Sequence, residues 1–299
     1  MVVAEIGIRR AWQSTWLRRM MYLAWVPGVV MGFMIFLFEQ AEKDDGAARA
    51  ILANLTAVVL AGDADLDVQR QLSNVLNAAG NADERRHTFW SALILHLFAR
   101  SQPLIMIPMI GVIAPPLIAQ DFRSRAFLMY FSRPLTKIQY IFGKAAVVML
   151  YLSLITMVPA VTLFIVGVLL SPDIGVLWVT WDLLFRILFV SLAIIVPCTF
   201  LSLMLSSLTT ESRYAAFGWF AIWIFGFLTY SIVVPFSSPG DSSMMQCVSL
   251  IHVFNDVAGW MLDPNLAVAG IENRLILLSV LTAISMAVLY RRVSAPMQI

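Results

Sequence analysis

Residues 185–208 read FRILFVSLAIIVPCTFLSLMLSSL, residues 209–213 read TTESR, and residues 214–235 read YAAFGWFAIWIFGFLTYSIVVP. Each long run matches the about 20 apolar residues that carry a helix across ~30 Å of hydrocarbon at about 1.5 Å per residue. The polar stretch Thr209–Arg213 leaves room only for a tight turn. The pair therefore reads as a helical hairpin with both arms crossing a bilayer. Lipid offers the backbone no hydrogen-bond partners, so these arms must be helices.

Working outward, the same count gives four more runs: Met20–Phe38, Leu93–Ala119, Phe142–Leu170 and Leu275–Tyr290. The second of the six spans carries Pro103, Pro108, Pro115 and Pro116 and is long enough to bend, and the last is expected to begin a turn earlier. Composition agrees. The 299 residues are 60% hydrophobic and 13% charged, with a mean hydropathy of +0.84, whereas a soluble domain holds about 25% charged residues. A soluble chain of this length has no core large enough to hide that apolar surface. The expected fold is an all-α membrane protein with six transmembrane helices. The first run has no small-residue cleavage site behind it and reads as a retained span. Cys198 and Cys247 fall in different compartments, so no disulfide between them is expected.

Lys and Arg favour the cytoplasmic side. With the N-terminus inside, the inner segments hold 12 of the 20 basic residues and three of the 18 acids. The outer segments and span margins hold 15 acids and seven bases, and Arg100 lies within span two. Both termini are expected in the cytoplasm. In residues 1–19, Ile8, Trp12 and Trp16 recur at a spacing of four beside Arg9, Arg10, Arg18 and Arg19. This is the pattern of an amphipathic helix in the cytoplasmic interface, with an irregular basic tail as the alternative. The membrane domain, 20–299, contains an outer segment, 39–88, that reads as two short helices around 47–60 and 67–79. Asp63, Asp65 and Asp67 within it lack the glycine and terminal glutamate of a calcium loop. A second outer segment, 236–273, holds an apolar stretch, 244–262, between turn residues. It is expected to re-enter the outer leaflet without crossing, because a seventh span would put Arg291 and Arg292 outside.

The densest polar cluster lies in the cytoplasmic loop 120–144. It runs Gln120-Asp121-Phe122-Arg123-Ser124-Arg125, then an apolar patch that includes Phe127, then Ser132-Arg133-Pro134-Leu135-Thr136-Lys137 and Tyr140-Ile141-Phe142-Gly143-Lys144. Asp121 and Arg125 are spaced to pair on one helical face, and Ser132 and Pro134 suit the start of the next helix. From the residues alone, the short helix is either a membrane-surface connector or a docking element for a cytoplasmic partner.

These motifs resemble those of ABC-2 type ABC-transporter permeases, nearest the branch that includes the permease of nitrous-oxide reductase maturation. The resemblance implies that the loop is a coupling helix seated on a separate ATPase subunit. Asp121, Arg123, Arg125, Phe127, Arg133, Pro134 and Lys137 are then its contact residues, with Gly143 and Lys144 at the base of span three. Where many members carry Gly-Thr-Leu-Glu, this chain has Ala126-Phe127-Leu128-Met129. The resemblance further implies a second permease copy or paralogue, a bacterial inner membrane, and export. ATP and Mg are expected to bind through the partner, with no cofactor on this chain and no nucleic acid.

The chain itself carries no G-x-x-x-x-G-K-[ST] loop. Gly143-Lys144 has Ile138 where the upstream glycine belongs, and Ala145 follows. No protease or hydrolase motif is present, and His87, His96 and His252 lack metal-ligand spacing. Met244, Met245, Cys247 and His252 are soft ligands close together, but among 16 methionines the grouping reads as chance, and no metal site is expected. Arg100 is read as snorkelling to the outer surface, with a substrate role as the alternative. Gly28 and Gly32 form G-x-x-x-G, and line either a dimer seam or ordinary intrachain packing. In span five, Phe220, Trp223, Phe227 and Tyr230 line a substrate path or face lipid. The rival functions are an ATP-independent secondary transporter, which calls for ionisable residues at mid-depth, and a membrane-embedded lipid-processing enzyme, which calls for clustered polar groups there.

Overall fold

The computed structural model describes residues 15–43, 46–60, 82–124, 136–173, 175–233, 236, 246–262, 268 and 270–294. In chain order these form α1 (Thr15–Glu42), α2 (Gly46–Leu60), α3 (Ala82–His96), a π-helical turn (Leu97–Ser101), α4 (Gln102–Arg123), α5 (Lys137–Ile155) and α6 (Met157–Leu170). They continue with α7 (Val176–Leu208), α8 (Ser212–Val233), a 3-10 turn (Gln246–Val248), α9 (Leu250–Leu262) and α10 (Ile271–Ser294). No strand occurs among the described residues. Six helical runs are long and apolar enough to span a bilayer: Leu17–Glu42, Ala82–Arg123, Lys137–Leu170, Val176–Leu208, Ser212–Val233 and Ile271–Ser294. The expected interfacial helix, the second outer helix and most of the 120–144 loop lie outside the described residues.

The helices outrun the apolar stretches that announce them. Span two begins at Ala82 rather than Leu93, and span four at Val176 rather than Phe185. Hydropathy marks where lipid ends, whereas a helix continues as long as its polar residues find partners. Here they do. Arg86 Nε lies 3.0 Å from Glu39, and Arg85 Nη2 lies 2.7 Å from Glu42. Asp182 meets His87 at 3.1 Å and Arg186 at 2.9 Å. These pairs form a charged tier at the end of the bundle opposite the 121–144 loop.

Two spans are interrupted part-way, each at a proline. Pro159 lacks the N–H that Ile155 O needs, and the helix breaks between α5 and α6 at Thr156. Pro103 likewise leaves Ala99 O without its ladder partner, and the preceding turn is π-helical, with Gln102 N–H reaching back to Leu97 O. Asn255 of α9 supplies what is missing: with its amide nitrogen turned inward, it donates to Ala99 O at 3.1 Å. The two interruptions meet, because the buried Gln102 Nε2 donates to Thr156 O at 3.0 Å.

α7 lies at the centre, 67% buried along its apolar window, whereas α8 is 11% buried and forms a flank. Small residues seat the neighbours. A Cβ on Gly167 would lie 3.0 Å from Trp90, whose side chain is fully buried. Gly28 and Gly32 face Pro159, Leu163 and Val166 at 3.7–3.9 Å, so the close approach that the G-x-x-x-G spacing permits is made to span three of the same chain.

α9 is pinned at both ends. Its last carbonyls, Met261 O and Leu262 O, accept from Arg186 Nη1 at 2.9 Å and Ser91 Oγ at 2.7 Å. Lower down, Asp256 Oδ2 lies 2.7 Å from the buried Arg274 of α10. Gly270, at φ 73°, turns the chain into α10.

Candidate functional site

The two ends of the 121–144 loop are locked together at the base of spans two and three. Asp121, in the last turn of α4, accepts a hydrogen bond from Tyr140 Oη at 2.7 Å, and Lys144 Nζ lies 2.7 Å from the same carboxylate oxygen. The two charged side chains are 14% and 9% exposed. A charge pair so shielded resists salt and holds its geometry far better than a surface pair. The Asp121–Arg125 pair that the spacing suggests lies outside the described residues, and the described partners of the carboxylate are across the loop, where burial strengthens the attraction.

The return helix starts with a reciprocal cap. Gln139 N–H donates to Thr136 Oγ1 at 3.3 Å, and Thr136 N–H donates to Gln139 Oε1 at 3.0 Å. That capping box places the helix start at Lys137, later than Ser132 and Pro134 suggest. The T-x-x-Q spacing was legible in the sequence. On the other flank, the exposed Arg123 pairs with Glu211 at 3.1 Å, tying the loop to the turn between α7 and α8.

One hydroxyl splices spans two and four just above this base. Ser206 Oγ, fully buried, donates to Pro115 O at 2.6 Å. It accepts from Ile118 N–H at 3.2 Å and Ala119 N–H at 3.1 Å. A serine hydroxyl has one donor and two acceptor positions, and all are used. Pro115 and Pro116 leave Gly111 O and Val112 O without ladder donors, and one turn further on the Ser206 hydroxyl inserts between Pro115 O and the Ile118 and Ala119 N–H groups. Tyr140 belongs to the loop motif but had no role assigned from the sequence, and neither Ser206 nor Glu211 stood out as functional there.

Of the proposed loop contacts, Asp121, Arg123 and Lys137 are described, and Arg125, Phe127, Arg133 and Pro134 lie outside the described residues. The span-five aromatics separate into two groups. Trp223 is buried against Trp219 and Phe254, and Phe220 crowds Gly111. Phe227 and Tyr230 instead stack on His252, with ring centroids 5.9 and 3.4 Å away. His252 Nδ1 is 2.8 Å from Ser249 Oγ. No metal-competent group of three or more His, Cys, Asp or Glu occurs among the described residues, and Met244 and Met245 lie outside them.

Arg100 sits in the π-helical turn, about 21 Å of helix from Arg86 at about 1.5 Å per residue. Hydropathy places the lipid boundary nearer, at Leu93, seven residues or about 10 Å of helix away, and the Arg100 side chain is exposed. The helix continues well past the end that hydropathy suggests. Polar residues of α9 reach this depth, since Asn255 bonds the adjacent Ala99 O.

The model of the ABC-2 family transporter protein matches residues 16–291. The chain belongs to that family. It is a multi-pass membrane protein and a permease component of an ABC transporter, and membership implies partnership with an ABC ATPase subunit. No curated protein matches the sequence. The family match spans all six apolar helices and both flanks of the 121–144 loop.

Proposed function

We propose that this permease forms half of an ATP-driven exporter in a bacterial inner membrane, with both termini in the cytoplasm. A second copy or a paralogue completes the substrate pathway. The 121–144 loop is the docking element for the ATPase subunit, which holds ATP and Mg. The observation that supports this role is the buried Asp121–Lys144–Tyr140 lock. A connector lying on lipid has no need of a rigid base, whereas an element that transmits force does. Asp121 is then a positioning residue, and Arg123, which is exposed, together with Arg125, Phe127, Arg133, Pro134 and Lys137, is the contact set. Ser206 and the Arg123–Glu211 pair carry displacement of the loop into spans four and five. The transporter moves between inward and outward states as the ATPase cycle shifts their populations.

α9 fits a re-entrant helix of the outer leaflet, seated by Ser91, Arg186 and Arg274. The likeness to the nitrous-oxide reductase maturation branch rests on the loop motif alone, and the family match is to ABC-2 transporters as a whole. The Gly28–Gly32 face is used within the chain, so the seam with the second copy is sought elsewhere.

The test is a pull-down of tagged permease from native membranes in mild detergent, assayed for a co-purifying ATPase. Arg133→Glu with Lys137→Glu should leave the permease inserted and lose the ATPase. Retention of a coupled ATPase by that double variant overturns the docking assignment.

A further inference from the structure

A small cavity lies where the π-helical turn, α4, α7, α8 and α9 converge, lined by Phe98, Gln102, Pro103, Met106, Ile194, Trp223, Ile251 and Phe254. Its room is about 10 Å³, which matches a single water-sized group. Six of these residues are apolar side chains without a hydrogen-bonding atom. The other two each bring a buried polar atom with no hydrogen-bond partner among the described residues, Gln102 Oε1 and Trp223 Nε1. Gln102 is 5% exposed and Trp223 is 3% exposed. Leaving both buried and unmet costs about 1–3 kcal/mol each.

The two atoms are complementary in kind. Trp Nε1–H only donates, and an amide oxygen only accepts. Gln102 cannot turn its amide to relieve the mismatch, because its nitrogen is committed to Thr156 O at 3.0 Å. Trp223 is held by Trp219 and Phe254. A group that satisfies both must accept from Trp223, donate to Gln102, carry no charge, and be one heavy atom in size. An ammonium fails because it is charged and cannot accept, and a carboxylate fails on charge and on size.

We infer that this cavity is a hydroxyl-binding site. Water and the alcohol of an amphiphile both supply that group. The position suits an amphiphile, since Leu104, next in the chain to the cavity's Pro103, is 77% exposed, so the cavity lies close beneath the apolar surface. The amphiphile form rests on the transporter reading above and names its substrate class. The experiment needs no ATPase, so its failure leaves the docking proposal standing.

The probe is a long-chain alcohol carrying a photoactivatable diazirine, paired with the matched alkane, applied to the full chain in lipid nanodiscs. An electron cryomicroscopy map at a resolution that shows ordered water accompanies the labelling. With an amphiphile as the source, the alcohol labels Phe98, Met106 or Ile251 about fivefold more than the alkane, the worth of about one hydrogen bond. Trp223→Phe and Gln102→Leu each abolish that excess. With water as the source, labelling shows no excess, and the map shows one ordered feature within hydrogen-bond distance of Gln102 Oε1 and Trp223 Nε1 that Trp223→Phe removes. Absence of both the labelling excess and the feature overturns the site. If a variant fails to insert, the comparison of alcohol with alkane on the unmodified chain decides the alcohol arm alone, and the map decides the other.

Discussion

Lys144→Met is the sharpest test of the lock at the loop base. The Lys144 ammonium and Asp121 carboxylate lie 2.7 Å apart with side chains 9% and 14% exposed. Removing the lysine leaves a shielded carboxylate with the Tyr140 hydroxyl as its remaining bond in the lock. Breaking a buried pair in this one-sided way costs about 3–5 kcal/mol. At about 2–4 °C per kcal/mol for a large chain, the thermal midpoint falls by about 6–20 °C. Asp121→Leu should cost a similar amount, because it strands the ammonium. The double variant removes both charges together, and burying two apolar side chains of similar size is close to neutral. Its midpoint should return to within about 3 °C of the unmodified protein. Detergent-solubilised protein, heated and then scored by the monodisperse fraction, gives all three numbers in one series. A single variant with an unchanged midpoint refutes the claim that the pair is shielded. A double variant that loses the sum of the singles refutes the claim that the charges depend on one another. If the lock also aims the loop, the double variant should fold normally yet show ATPase activity no longer linked to transport.

Ser206→Ala removes a hydroxyl that serves three backbone groups, and should lower stability by about 2–4 kcal/mol in the same assay; a neutral result would mean that the helix closes its own ladder at Pro115. Gly167→Ala pushes a Cβ to 3.0 Å from the fully buried Trp90 ring, and should cost about 1–3 kcal/mol, recovered in part by Trp90→Phe. Arg86→Met should be far more damaging than Arg85→Ala, because the side chain of Glu39 is 3% exposed and that of Glu42 is 20% exposed. Equal midpoints for those two variants would contradict the burial of the Glu39 pair.

The apolar middles of the spans were readable because lipid imposes one rule on every residue it touches. The helix ends were not, because Ala82–Ala92 and Val176–Leu184 obey a different rule, that of finding partners outside the apolar run. Orientation-sensitive contacts were partly readable. The Thr136–Gln139 box is local and visible at a spacing of three, whereas Asp121–Lys144 needs both helices in place. The Ser206 splice was out of reach for a further reason. Two adjacent prolines announce that span two needs outside help, but many serines in span four were eligible to give it.

The order of synthesis gives the seating of α9 a further meaning. Its anchors are Ser91 and Ala99 of span two, Arg186 of span four and Arg274 of span six. The first three emerge from the ribosome before α9, and the last emerges after it. During biogenesis there is thus an interval in which Asp256 has no arginine to meet, and the segment waits at the membrane surface. Arrival of the final span completes the fold at its far end as well as at its own position. A chain stopped before residue 270 would insert five spans and lack one of the four anchors of α9, that of Asp256, a ready mark by which membrane quality control distinguishes an unfinished permease from a finished one.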